Sequence, residues 1–237
     1  MLHLSQMHGN ACARGLGIGR LVLPAVGLGA RSLHMAKNPL LPLALLALVV
    51  AAMAVSAIGP TDRMTWWLEV LPVLIGLPLM LLTARRFPLT SLLYVLIAFH
   101  ALILILGAHY TYAKVPLGDW VRDAFDLTRN PYDRLGHFVQ GFVPAIIARE
   151  ILLRKTPLVR GGWLFFIVAS ICVAFSACFE LFEWLVAIIG GGSADQYLAM
   201  QGDEWDTQWD MFCALCGALI AQLALSSLHD RALARVR

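Results

Sequence analysis

The stretch that decides the fold is residues 162–189, GWLFFIVASICVAFSACFELFEWLVAII. It is an apolar run longer than the roughly 20 residues that an α-helix needs to cross a bilayer. Glu180 and Glu183 are the only charged side chains within it. Because lipid offers no hydrogen bonds to the backbone, a run of this length predicts a transmembrane helix.

Comparable apolar runs lie on both sides of this stretch. Over the whole chain 59% of the residues are hydrophobic and 14% are charged, whereas a soluble domain has about 25% charged residues. We therefore predict an all-α fold, a polytopic bundle of six transmembrane helices. The predicted spans are residues 39–58, 66–84, 88–109, 131–153, 162–189 and 206–228.

Basic residues in the connecting segments predict the orientation of the bundle. Thirteen of the 18 Lys and Arg residues fall on one side of the predicted spans and five on the other. Because cytoplasmic loops carry the excess of Lys and Arg, both termini are predicted to be cytoplasmic. Residues 1–34 are then a cytoplasmic tail, or an extension upstream of a start at Met35. Residues 35–231 form the membrane domain, and residues 232–237 the cytoplasmic C-terminal end.

Acidic and His side chains recur at helical spacing in the outer half of three predicted spans. Positions three, four or seven residues apart lie on one face of a helix. The residues are Asp133 and His137 in the fourth span, Glu180 and Glu183 in the fifth, and Asp203, Asp206 and Asp210 at the start of the sixth. The topology brings these faces to one depth in the membrane, where unpaired charges are costly.

Carboxylate and imidazole groups on facing helices suit a divalent cation, and the spacing also fits a carboxylate-bridged pair of cations. The cation itself is not identified by the pattern. The predicted ligands are Asp133, His137, Asp206 and Asp210, and the predicted catalytic residues are Glu180 and Glu183. The alternatives are structural, because Asp in a first helical turn complements the helix dipole and a His in a bundle often bonds a neighbouring helix.

Two further features border the predicted site. His100 and His109 are nine residues apart, so they point to opposite faces of a helix and at most one reaches the cluster. Residues 116–129 predict a short amphipathic helix on the outer surface. Together with residues 190–203 this helix would cover the site, and an ordinary connector is the alternative.

Three motifs carry a resemblance to a known family. They are YDRLGHF at residues 132–138, FELFEW at residues 179–184 and QGDEWDTQWDM at residues 201–211. They resemble the bacterial inner-membrane family typified by YjdF, over about residues 39–231. The resemblance implies a multi-pass protein of the inner membrane and supplies no reaction. Residues 1–34 depart from the pattern, which favours Met35 as the start.

Two active functions, catalysis and coupled transport, fit this pattern. The first is a metal-dependent hydrolase or transferase that acts on a lipid or lipid-linked substrate. The second is a cation- or proton-coupled transporter, which requires polar residues to continue into the inner half of the bundle, where they are sparse. A structural membrane protein without catalysis is the third alternative. The predicted partners are the bilayer and the lipid substrate; nucleic acid is not expected, and the oligomeric state is not determined by the sequence.

Overall fold

A computed structural model describes residues 40–190 and 199–236, and every regular element in these two ranges is helical. The predicted all-α fold is therefore confirmed. The helices are α1 (Leu40–Ser56), α2 (Arg63–Glu69), α3 (Leu71–Thr83), α4 (Ser91–Tyr110), α5 (Pro116–Ala124), α6 (Tyr132–Lys155), α7 (Gly162–Gly190) and α8 (Asp206–Ala234). A 3₁₀ turn, Tyr112–Lys114, precedes α5. The predicted tail, residues 1–34, and most of the 190–203 connection lie outside the described residues.

Five segments are long and apolar enough to cross a membrane: Arg63–Thr83, which joins α2 and α3, and helices α4, α6, α7 and α8. Each of them matches a predicted span to within three residues at either end, except that α8 ends six residues later than predicted. The remaining predicted span corresponds to α1, an apolar helix of 17 residues. Its length is just below the roughly 20 residues that a full crossing requires. The molecule is thus a polytopic helical bundle.

The second span is interrupted at Val70, between α2 and α3. Pro72 has no N–H to donate to the Leu68 carbonyl four residues earlier, so a continuous helix is not maintained there. The interruption leaves Glu69 as the last residue of α2, with 4% of its surface exposed. At the other end of α2, Asp62 accepts a hydrogen bond from the Thr65 N–H at 2.7 Å, which lowers the pKa of that carboxyl.

Helices α6 and α8 approach each other until their backbones touch. A Cβ atom added to Gly141 would lie 1.8 Å from the Ala214 carbonyl oxygen, and one added to Gly217 would lie 2.0 Å from that of Phe138. Glycine is therefore required at both positions. This contact fixes the first turns of α8 against the N-terminal half of α6, which is where the predicted ligands lie.

The segment before α6 is held by Asn130, which is fully buried. We predict Asn130 as the helix cap and Pro131 as the first helical residue; the structure instead begins the helix at Tyr132. The Asn130 Oδ1 accepts from the Tyr132 N–H at 3.0 Å, and its Nδ2 donates to the Val115 carbonyl at 3.0 Å. These bonds tie α5 to the start of α6.

The predicted surface helix at residues 116–129 corresponds to α5, which ends five residues earlier, at Ala124. Asp126, with φ of 51°, turns the chain away from the helical path. Trp120 and Phe125 expose 66% and 71% of their surface. Exposed aromatic side chains on a short helix suit the interface between membrane and water.

A buried polar network lies at the end of the bundle away from α5. Glu150 of α6 accepts hydrogen bonds from the Thr90 hydroxyl at 2.8 Å and from Arg154 at 2.6 Å. Arg149 donates to Nδ1 of His229 at 2.8 Å, and because Arg has no acceptor, the His229 Nε2–H must donate to Glu150, 3.0 Å away. The network joins α4, α6 and α8 where their cytoplasmic ends are predicted.

Candidate metal centre

His137 lies at the centre of three carboxyl groups from three helices. Its Nε2 atom is 3.7 Å from Oδ1 of Asp133, 3.6 Å from Oε1 of Glu180 and 4.0 Å from Oδ2 of Asp210. Each of the four residues exposes 7% of its surface or less. The first turns of α6, the last third of α7 and the first turns of α8 thus supply one buried cluster.

The separations in this cluster are longer than hydrogen bonds, which are usually 2.7–3.2 Å for N–H···O. A cation bound about 2.0–2.2 Å from its donors holds neighbouring donors about 3.0–3.6 Å apart. One donor atom from each of Asp133, His137 and Asp210 falls within 4.8 Å of the others. Small side-chain movements would therefore bring these groups into coordinating positions.

Several buried polar atoms of the cluster lack a hydrogen-bond partner among residues 40–190 and 199–236. They are Nδ1 of His137, Oε1 of Glu180 and Oδ1 of Asp210. Buried polar groups in proteins are almost always hydrogen-bonded or bound to an ion or water. The cluster thus has unused coordinating capacity at three of its four residues.

Asp206, the fourth predicted ligand, has a different partner. It forms a close ion pair with Arg129, a residue that exposes 8% of its surface. Arg129 also lies 3.6 Å from Asp133. The structure therefore brings three of the four predicted ligands together and engages Asp206 with an arginine.

Asp203 does not share the stripe of Asp206 and Asp210 predicted for the sixth span. It precedes α8, accepts a hydrogen bond from the Trp205 N–H at 3.0 Å and pairs with Arg134 at 2.6 Å. Asp203 lies in the turn that precedes α8, and the helix begins only at Asp206. The helical spacing of Asp206 and Asp210 therefore does not extend back to Asp203.

A cavity of about 60 Å³ adjoins the cluster on the side of α2 and α4. Its wall includes Asp133 and His137 of the cluster, together with Glu69, His100 and Glu183. His109 instead lies with its Nδ1 2.9 Å from the Ser56 carbonyl oxygen. One of the two histidines of α4 thus borders the site, as predicted.

The two predicted catalytic residues occupy different positions. Glu180 belongs to the cluster around His137, whereas Glu183 lines the cavity. They are one helical turn apart on α7, so a single helix face contributes to both parts of the site.

Comparison with known proteins gives a family. The model of the family described as "Predicted membrane protein (DUF2238)" matches residues 41–231. The chain belongs to this family. "Inner membrane protein YjdF" of Escherichia coli (strain K12) is 52% identical over 180 residues, which cover 76% of this chain and 86% of that protein. No solved structure matches.

Membership of DUF2238 confirms the resemblance drawn from the three motifs. The similarity to an inner membrane protein, together with the helices long enough to span, makes this chain a multi-pass protein of the inner membrane. Neither the family's description nor the name of this relative specifies a reaction, a substrate or a metal.

Two residues at or beside the cluster, Glu69 and Arg129, are not among those predicted from the sequence. Glu69 is an isolated acid at the edge of an apolar run, three residues before Pro72. An acid followed so closely by a proline indicates that the helix is interrupted there and that the acid lies at its end. Arg129 is one of the five basic residues on the outer side of the predicted spans, and nothing local shows that its partner is 77 positions away.

Proposed function

We propose that the acid and His cluster holds a divalent cation and that the protein is a metal-dependent hydrolase or transferase acting on a lipid or lipid-linked substrate. One observation carries the proposal: the Nε2 atom of His137 faces three buried carboxylates at 3.6–4.0 Å without a direct hydrogen bond to any of them. A cation between these groups would compensate charges that are otherwise expensive to bury.

The ligand set we propose is Asp133, His137, Asp210 and Glu180. Asp206 acts differently in this proposal, since its pairing with Arg129 fixes the N-terminal turn of α8 and thereby positions Asp210. A cation bound here would supply Lewis-acid activation of water or of a phosphoryl or carbonyl oxygen.

Glu183 is the proposed general base. It lines the cavity next to the cluster but is not among the groups around His137 Nε2. A base must reach the proton that it removes, directly or through one water. A cavity of about 60 Å³ has room for several water molecules, because one water needs roughly 10–15 Å³.

The size of the cavity limits what enters it. Sites that enclose a whole small molecule usually measure about 300–1,000 Å³, far more than this cavity. We therefore propose that only the reacting group of the substrate approaches the cation, while the rest of the lipid stays in the bilayer.

An apolar layer favours an enzyme over the alternative of a coupled transporter. Buried apolar residues of four helices separate the cluster from the polar network at Glu150: Leu93, Ala145, Ile146, Leu164, Val168, Cys172, Ala218 and Ala221. Moving an ion through a layer whose buried polar groups are as sparse as Ser176 and Gln222 is costly. The site thus communicates more readily with the outer surface than with the cytoplasm.

Chelation tests the proposal. A ligand that binds the folded state stabilises it by about 2.7 kcal/mol at a hundredfold excess over its dissociation constant. We expect EDTA to lower the melting temperature of the purified protein in detergent, and excess Mn²⁺ or Zn²⁺ to restore it. Asp210→Asn should be insensitive to both.

Glu204→Gln is the matched control, because it removes one carboxylate that is exposed near the start of α8. This variant should respond to EDTA as the wild type does. A wild-type protein whose melting temperature is the same in EDTA and in excess metal would refute the cation site.

A further inference from the structure

The cavity beside the cluster has coordinating groups of its own. Glu69 of α2 lines the wall and exposes 4% of its surface, and Glu183 of α7 lines the wall as well. The Nε2 atom of His100 is buried and has no hydrogen-bond partner in the described part of the chain. Three residues from three helices thus face one small space without belonging to the group around His137 Nε2.

His137 also borders this space and has an unused ring nitrogen of its own. Its ring lines the cavity, and its Nδ1 lacks a hydrogen-bond partner within the described ranges although only 5% of the residue is exposed. The two unpartnered ring nitrogens, one from α4 and one from α6, indicate that the cavity has an occupant.

The charges of the site indicate which occupant. Four carboxyl groups here, those of Glu69, Glu180, Glu183 and Asp210, form no ion pair with Lys or Arg among residues 40–190 and 199–236. A single divalent cation compensates two negative charges, so all four groups stay ionised only with a second cation, since buried charges persist only when they are paired or coordinate a metal.

We propose that the cavity is a second divalent-cation site, held by Glu69 and His100, with Asp133 as the carboxylate shared with the first site and Glu183, the proposed base, beside the water bound to this cation. Asp133 belongs to both sets, since it lies 3.7 Å from His137 Nε2 and lines the cavity. Pairs of cations in hydrolytic enzymes are typically about 3.5–4 Å apart and joined by such a group.

The second cation keeps part of its hydration shell. The donors of this set do not form a close group of three like Asp133, His137 and Asp210, which is the one such group in the described residues. The cavity of about 60 Å³ accommodates bridging waters between the ion and the wall. Mg²⁺ and Mn²⁺, which favour carboxylate ligands and water, suit this chemistry.

The inference rests on the proposed function, because the two sites share Asp133. The experiment loads the full-length protein in detergent with Mn²⁺ and measures bound metal per chain by elemental analysis. Electron paramagnetic resonance then separates isolated Mn²⁺ ions from a magnetically coupled pair. We expect two Mn²⁺ per chain and the spectrum of a coupled pair.

Glu69→Gln and, separately, His100→Gln should each reduce the bound metal to about one Mn²⁺ per chain and replace the coupled spectrum by that of an isolated ion. Glu204→Gln, with its exposed carboxylate, should keep both ions. Because the wild-type spectrum is itself informative, the outcome does not depend on whether a variant folds.

One Mn²⁺ per wild-type chain, with the spectrum of an isolated ion, would overturn the second site and leave the first intact. Two uncoupled ions, or two coupled ions that both Glu69→Gln and His100→Gln retain, would likewise overturn it. Absence of bound Mn²⁺ from the wild type would overturn the two sites together, and the buried acids would then be protonated.

Discussion

Among single residues, Arg129 determines which acids remain for a cation. Its ion pair with Asp206 and its approach to Asp133 and Asp203, each at 3.6 Å, spread one positive charge over three carboxylates. Asp210, one helical turn further into α8, is beyond this pairing and faces His137 instead. Two acids on the same helix face therefore have different roles, one in an ion pair and one in the proposed metal site.

Paired substitutions at these two acids separate the roles. Asp206→Asn should keep Mn²⁺ binding within about threefold, because the ion pair lies outside the proposed ligand set, but should destabilise the fold by about 1–3 kcal/mol since Arg129 loses the closest of its charged partners. Asp210→Asn should reduce Mn²⁺ affinity at least tenfold. Equilibrium binding and thermal unfolding of both variants measure this, and equal loss of affinity would show that Asp206 is a ligand.

The sequence predicted the cluster where its members are close along the chain. Asp133 and His137, or Glu180 and Glu183, follow from the helical period alone, and topology places the two pairs at one depth. Partners that are distant along the chain did not follow. The contact between Arg129 and Asp206 depends on how α8 docks on α6, which single-sequence patterns do not specify.

Among the helices, the contact between α6 and α8 has the strictest packing requirement. Gly141 and Gly217 allow the two backbones to touch, and small residues at helix interfaces are the usual means of close approach in membranes. The same contact sets the distance between His137 and Asp210. Packing and the geometry of the site are therefore coupled.

A pair of glycine substitutions tests this coupling. Gly217→Ala adds a Cβ 2.0 Å from a backbone oxygen, so the helices must separate; we expect a loss of about 1–3 kcal/mol and weaker Mn²⁺ binding. Gly76→Ala, in α3, meets no atom within 4 Å and should be neutral or stabilising by up to about 1 kcal/mol. The melting temperatures of the two variants, each compared with the wild type, test this prediction. Similar melting temperatures for Gly217→Ala and Gly76→Ala would contradict the close packing of α6 and α8.

The interruption between α2 and α3 shows where sequence reasoning stops. Pro72 is visible as a helix breaker within the second predicted span. Its consequence for Glu69 does not follow from the sequence. Because α2 ends at Glu69, this acid borders the cavity. That position depends on how α2 and α4 pack together, which the sequence alone does not specify.

Across the whole molecule, polar groups concentrate at the two ends of an apolar bundle. The network of Glu150, Arg149 and His229 has its hydrogen bonds satisfied within the protein. The cluster at the other end has unpartnered atoms and a cavity. This contrast supports a structural role for the first and a binding role for the second.

The fold class and the positions of the spans were predictable, because the length and hydrophobicity of each run are local properties. Membership of the inner-membrane family agrees with them. The orientation with both termini in the cytoplasm stays a prediction from the basic residues, as does the assignment of residues 1–34. The cavity was not predictable, since it arises where five separate segments meet.

The central claim is that a divalent cation binds at His137. Anomalous X-ray diffraction from crystals of the Mn²⁺-loaded protein tests it most directly, because the signal locates the metal itself. The account predicts a peak within about 2.0–2.3 Å of His137 Nε2 and of carboxylate oxygens from Asp133 and Asp210. Two results would contradict it. One is an anomalous peak elsewhere in the protein with none at His137, and the other is the absence of any anomalous peak at saturating Mn²⁺.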